Sequence, residues 1–223
     1  MQTTTTFPSS GMRDRPPAVD ARAIDDLVAR VDAILPPLAP RVIGFVASSS
    51  GEGTSTVAQG YARANAGKLA RNTLLLSAMA PASPGSGMAT PTLCEALRSG
   101  QPIESVLGPR QRGVTPASLG LGPDHGDEPD YAWELVTRRE LWDFLRQRFD
   151  LIVLDLPATD SSGACMQIGP QCDGMLVVLE SARTRKPVVT QLLRDLQAVH
   201  VRVLGAVLNK RSFHLPAKLY RWL

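Results

Sequence analysis

Residues Arg41 to Ala58, RVIGFVASSSGEGTSTVA, decide the fold of this chain. An apolar strand over Val42 to Ala47 runs into a loop of small residues, and the loop opens a helix. Strand, glycine-rich loop and helix in that order make a phosphate cradle, because loop amides and the helix N-terminus converge on one anionic spot. A Walker A loop ends in Gly-Lys-Ser/Thr, the lysine reaching the β and γ phosphates and the hydroxyl reaching magnesium. Here Gly53 is followed by Thr54 and then Ser55. The stretch reads as a P-loop that lacks its lysine.

The cradle helix is predicted over Ser55 to Leu69, and Asn72 to Leu76 (NTLLL) reads as a second buried parallel strand. A Pro-, Gly- and Ser-rich loop, Ala80 to Pro91, leads to a short helix at Leu93 to Ser99, and Val114 to Leu119 is a weak strand candidate. Gly120 to Asp130 is acidic and turn-rich and is expected to be mobile. One helix is predicted over Trp133 to Arg148, with Leu135, Trp142 and Leu145 on its inner face. In FDLIVLDLPA, Phe149 to Ala158, four apolar residues end in Asp155 and Pro157 closes the strand. Met175 to Leu179 and Val203 to Leu208 read as two more strands, separated by a helix over Lys186 to Val199. Strands alternating with helices predict an α/β fold, a doubly wound, mainly parallel sheet with helices on both faces. Its ligands are expected at the carboxyl ends of the strands.

At 223 residues the chain is long enough to bury a core without disulfides or structural metal. A formal charge of +3 is too small for a dedicated nucleic-acid protein but permits contact with an anionic membrane surface. Cys94, Cys165 and Cys172 are odd in number and lack zinc spacing, so they read as reduced thiols of a cytoplasmic protein. His125, His200 and His214 share no ligand spacing, and Ser48 to Ser50 form no nucleophile elbow. No basic start with an apolar h-region and no apolar run of about 20 residues occurs, so the chain is expected to be neither secreted nor membrane-spanning.

Four segments are expected. Residues 1–19 are Thr-, Ser- and Pro-rich and should be disordered. Residues 20–37 carry Ile24, Leu27, Val28, Val31 and Leu35 at helical spacing up to Pro36-Pro37. This stripe either packs on its own sheet or docks a partner. Residues 38–210 form the P-loop domain. In residues 211–223, Leu215, Leu219, Trp222 and Leu223 fall on one side of a helix and Lys218 and Arg221 on another. That basic tail is predicted to meet an anionic membrane or a membrane-bound partner, or to pack on its own domain or a sister subunit. Arg138, Arg139, Arg146 and Arg148 are interleaved with Glu134, Glu140 and Asp143, which reads as a solvated face and not a DNA surface.

The elements SSSGEGTSTVA, FDLIVLDLPA, CDGMLVVLESARTRKPV and LGAVLNKR, in this order, resemble the cytoplasmic kinase domain of the bacterial tyrosine kinases (BY-kinases) of exopolysaccharide and capsule assembly. These are relatives of the septum-site and chromosome-partitioning P-loop ATPases, and the likeness runs from Arg41 to Lys210. The resemblance implies that Gly51, Glu52, Gly53, Thr54, Ser55 and Thr56 cradle ATP or ADP. It places the Ser55 hydroxyl on Mg2+, Asp155 on the same ion through water, Thr56 near the α-phosphate and Asn209 at the adenine.

The same resemblance marks departures. Thr54 occupies the place of the catalytic lysine, whose charge is of order 10³-fold in rate at such sites. Where the family has Asp-x-Asp after a strand, Leu74-Leu75-Leu76 runs into Ser77-Ala78-Met79. The final stretch SFHLPAKLYRWL holds Tyr220 as its one tyrosine, and Asp20 to Leu35 has no Glu-x-x-Arg-x-x-Arg oligomer motif. The implied protein is a pseudokinase with no catalytic residues and with ATP or ADP and Mg2+ binding weak or lost. It would be peripheral to the inner membrane on its cytoplasmic side, a regulatory or scaffolding partner of a chain-length-determining polysaccharide co-polymerase, with its oligomeric state open. An active ATP-dependent tyrosine kinase or ATPase, and a partitioning-type module, are the alternatives.

Overall fold

Asp20 starts the first helix: its carboxylate accepts from Arg22 N at 3.0 Å and α1 follows over Ala21–Ile34. The computed structural model describes residues 20–36, 40–79, 91–121 and 129–210. The expected disorder of residues 1–19, residues 80–90 of the loop Ala80 to Pro91, residues 122–128 of the stretch Gly120 to Asp130 expected to be mobile, and the basic tail 211–223 lie outside the described residues; Gly120 and Leu121 belong to a strand and Pro129 and Asp130 to a helix. After α1 the chain runs through β1 (Arg41–Ala47), α2 (Thr54–Lys68), β2 (Thr73–Met79), α3 (Leu93–Ser99) and β3 (Val114–Leu121). It continues with α4 (Pro129–Thr137), α5 (Arg139–Arg148), β4 (Leu151–Asp155), α6 (Ala164–Ile168), β5 (Gly174–Glu180), α7 (Lys186–Ala198) and β6 (Val203–Asn209).

The strands form one six-stranded parallel sheet in the order β3-β2-β4-β1-β5-β6. β1 is buried along its whole length because helices cover both of its faces, which is why it reads as an unbroken apolar run. On one face, α1 and α2 pack over Ile43, Phe45, Leu151, Val153, Leu176 and Val178. Phe45 and Tyr61 meet there with ring centroids 5.3 Å apart. The opposite face is the larger cluster, in which Leu141, Trp142 and Leu145 of α5 and Leu192 and Leu196 of α7 pack on Val42, Leu74, Ile152, Leu154 and Val177.

The apolar stripe of α1 is core: Ile24, Val28, Val31 and Leu35 are buried in the α2 face. Polar contacts fix the same helix. Asp32 pairs with Arg41 at 2.6 Å and with Arg71 at 3.0 Å, and Asp25 pairs with Lys68.

The single helix predicted over Trp133 to Arg148 is corrected to two, α4 and α5. Arg138 is extended between them, at φ −64° and ψ 127°. Thr137 Oγ1 donates back to Trp133 O at 2.9 Å and to Glu134 O at 3.1 Å, and Trp142 Nε1 donates to Val136 O at 2.7 Å. These bonds satisfy carbonyls at the end of α4, as a helix terminus requires. The break lets Leu135 and Val136 on one helix and Leu141, Trp142 and Leu145 on the other all reach the core. The weak strand at Val114 to Leu119 is a full edge strand reaching Leu121, with Pro116 on the edge, where a missing amide is tolerated. α6 and the 3-10 turns Ile103–Val106 and Gly169–Gln171 had no periodicity to announce them.

Candidate functional site

β1 ends at Ala47 and β4 at Asp155, so the loop between β1 and α2 sits at the carboxyl edge of the sheet. Two glycines set its path, Gly51 at φ +86° and Gly53 at φ +93°, both left-handed. Gly53 is the N-cap of α2, and a Cβ there would collide with Asn209 Nδ2. The first bond of α2 is Val57 N to Gly53 O at 3.1 Å. The amides of Thr54, Ser55 and Thr56 therefore belong to the orphan donors of a helix N-terminus.

Ser55 and Asp155 are brought together at this edge. Burial pushes the Asp155 carboxyl above its ordinary value, and the Ser55 hydroxyl beside it offsets part of that rise. The place expected to hold a second acid lies beside it, for Ser77 is the register partner of Asp155 across β2 and β4. Ser77 Oγ instead donates to Met79 O at 3.2 Å, and Ser118 Oγ donates to the same carbonyl at 2.8 Å. Thr54 is buried as the first residue of α2. Thr56, two positions on, is exposed.

The side chain of Glu52 points into its own loop. One carboxylate oxygen accepts from Ser48 N at 2.9 Å, Ser48 Oγ at 3.1 Å and Ser49 N at 3.2 Å, and the other from the Thr184 hydroxyl. Asp160 takes the next amide, Ser50 N, at 3.0 Å and the Ser50 hydroxyl at 3.1 Å. From the last strand, Asn209 Nδ2 donates to Glu52 O at 2.9 Å, and the Lys210 ammonium donates to Gly51 O while pairing with Glu180 at 3.2 Å. A cavity of about 220 Å³ opens between Ser48 to Ser50 and the Arg183–Arg185 turn before α7.

Sequence reasoning missed Asp160, Thr184 and Lys210. Thr184 and Lys210 fall inside the quoted stretches LESARTRKPV and LNKR, which is the signal they carried. Asp160 had none. The residues present fit one end of a magnesium nucleotide. Ser55 and Asp155 offer a hydroxyl and a carboxylate to a metal, and the amides of α2 face outward for phosphate. The other end does not fit, because no cation stands at Thr54 and no acid at Ser77 or Met79. Among the described residues no group of three or more His, Cys, Asp or Glu side chains is placed to hold a metal ion.

The arginines of α5 and of the break before it are each engaged: Arg138 with Glu134, Arg139 with Asp143, Arg146 with Asp173 and Arg148 with Glu104. No described helix is long and apolar enough to cross a membrane.

No protein-family model matches the chain, and neither does any curated protein. Solved structures share its fold. The VpsO kinase domain superposes with a TM-score of 0.70 at 23% identity, covering 86% of this chain and 94% of that one. The kinase domain of the Escherichia coli tyrosine kinase ETK gives 0.70 at 15% identity over 88% and 79% of the two chains. The septum site-determining protein MinD of Pyrococcus horikoshii, solved with Mg-ADP, gives 0.57 at 20% identity over 81% and 76%. The fold is therefore the P-loop NTPase-like fold of the bacterial tyrosine-kinase domains and of MinD.

Proposed function

We propose that this chain is a catalytically silent pseudokinase, a regulatory or scaffolding partner in the polymerisation and export of exopolysaccharide or capsule. The observation that carries this reading is the register of β2 on β4, which sets Ser77 next to Asp155 where phosphoryl transfer calls for a second acid. Thr54, buried and neutral at the start of α2, stands where phosphoryl transfer calls for a cation. A magnesium nucleotide, when bound, supplies its own metal charge to the phosphates. Ser55 and Asp155 would hold that metal, the amides from Gly51 to Thr56 the phosphates, and Asn209 would sit at the base end. This set has no lysine for the transferring phosphoryl group and no second acid beside Asp155.

By analogy with the kinases it resembles, the protein would dock on the cytoplasmic side of an inner-membrane chain-length-determining protein, with residues 211–223 as a docking element. The test is calorimetry with ATP and Mg2+ beside a phosphate-release assay. Binding without turnover supports a nucleotide-dependent switch, a role favoured by the retained Ser55 and Asp155 pair. No binding supports a pure scaffold. Phosphate release that disappears in Asp155→Ala refutes the proposal.

A further inference from the structure

Away from the loop, on the flank of the sheet, α2 and the edge strand β3 enclose a cavity of about 360 Å³. It is lined by Gln59 and Arg63 from α2, Gln111 and Arg112 from the turn before β3, and Leu75, Val114 and Pro116. Gln59 and Arg63 follow Ser55 at one-turn intervals, so they lie about 6 and 12 Å down the helix axis from it. Neither guanidinium has a hydrogen-bond or ion-pair partner among the described residues. The walls supply no counter-charge either. The sequence has no Asp or Glu from Gly53 to Met79 or from Ser105 to Gly122, which covers α2, β2, the turn and β3. Leu121, the last described residue of β3, is seven residues from Val114 and so about 23 Å along the strand from it.

The backbone gives a second, independent sign. Gln111 and Val114 exchange amide bonds at 2.8 and 3.0 Å around Arg112 at φ +51° and Gly113 at φ +84°. Positive φ at both central residues is the pattern of a type I′ turn. That conformation suits Asn or Gly at the first centre, and an arginine held there is strained. Gly113 seats the turn on α2, since a Cβ there would stand 2.9 Å from the Ala66 Cβ. The turn thus carries Arg112 up to Arg63, two unmatched cations around one cavity.

We propose that this cavity binds a phosphate monoester bearing an apolar group, with Arg63 and Arg112 on the phosphoryl oxygens, Gln59 and Gln111 as further donors, and the apolar group on Leu75, Val114 and Pro116. Guanidinium forks match phosphate oxygens in a bidentate way, and a cavity of this size suits a small molecule or one side chain. The test is calorimetric titration of the full chain with phenyl phosphate, inorganic phosphate and benzoate. Phenyl phosphate should bind saturably with a Kd of about 1 mM or below, tighter than either of the others. Arg63→Gln and Arg112→Gly should each weaken it at least about tenfold. Arg112→Gly places the residue that φ +51° favours, so its thermal midpoint should stay level or rise while binding is lost. Absence of saturable binding overturns the proposal. So does binding that is unchanged in both variants, which would assign the anion to the P-loop, or inorganic phosphate binding as tightly as phenyl phosphate.

Discussion

Replacing Glu52 by Ala tests whether the loop is held from within. Glu52 is 3% exposed, and its carboxylate accepts Ser48 N at 2.9 Å, Ser48 Oγ at 3.1 Å, Ser49 N at 3.2 Å and the Thr184 hydroxyl. Hydrogen bonds to a charged group contribute about 1.5–3 kcal/mol each when measured singly. Four on one carboxylate do not add, because the buried charge carries its own desolvation penalty. Water reaching the freed amides through the cavity beside Ser48 to Ser50 recovers part of the loss. A net destabilisation of about 3 kcal/mol remains, which for a chain of this length lowers the thermal midpoint by about 6–12 °C. Glu52→Gln keeps the volume but turns an amide NH2 toward donors, so it should recover less than half of that. Urea unfolding followed by circular dichroism measures both. A loss below about 1 kcal/mol in Glu52→Ala would refute an internally braced loop.

Asp155 gives a pH signature. Its carboxyl is held above the ordinary 3.8 by burial, so the native state keeps a proton that the unfolded chain releases. The stabilisation is present below 3.8 and is lost as pH rises through the raised native value. Asp155→Asn should therefore flatten that part of the stability profile and raise the midpoint at neutral pH; a profile unchanged from wild type would contradict it. Thr54→Lys alone should leave ATP turnover at background, since residues that act as a unit are non-additive. Robust phosphate release from that single variant would show that Ser77 and Met79 do not matter. Burial pushes the thiols of Cys94 and Cys165 up to about 11 and that of Cys172 to about 12. All three should resist iodoacetamide in the native protein and react in urea, because the thiolate is the nucleophile. Fast native alkylation at any of them would contradict their placement.

The parts of this molecule that were legible in the sequence are those where one residue's role is fixed by its neighbours in the chain. An unbroken apolar run gives β1, the glycines after it give the turn into α2, and four apolar residues ending in Asp155 give β4. The meeting of Ser55 with Asp155 follows from those two strand ends. What was hidden depends on contacts across the sheet. Asp160 reaches Ser50 only after β1 and β4 pair, and nothing local marks it. Glu52 was expected as part of the nucleotide cradle; that its carboxylate turns into its own loop depends on Thr184, far along the chain. The extended Arg138 was hidden because the apolar spacing before and after it is compatible with one helix. Tertiary packing of Trp142 and Val136 decides for two.

The position of β1 in the sheet has a kinetic consequence. It is one of the two central strands and the first made, yet both its neighbours, β4 and β5, come from the second half of the chain: Arg41 pairs with Leu151 and Ile43 with Gly174. Such distant pairings close long loops before any contact rewards them, which slows folding. During synthesis β1 and α2 would emerge with no sheet to join, and β2 would have only β3 to pair with, until residue 151 follows. The nascent first half therefore exposes two apolar strands with unpaired edges, a species prone to aggregate. The hazard of aggregation is therefore greatest while the chain is being made, before β4 and β5 close the sheet around β1.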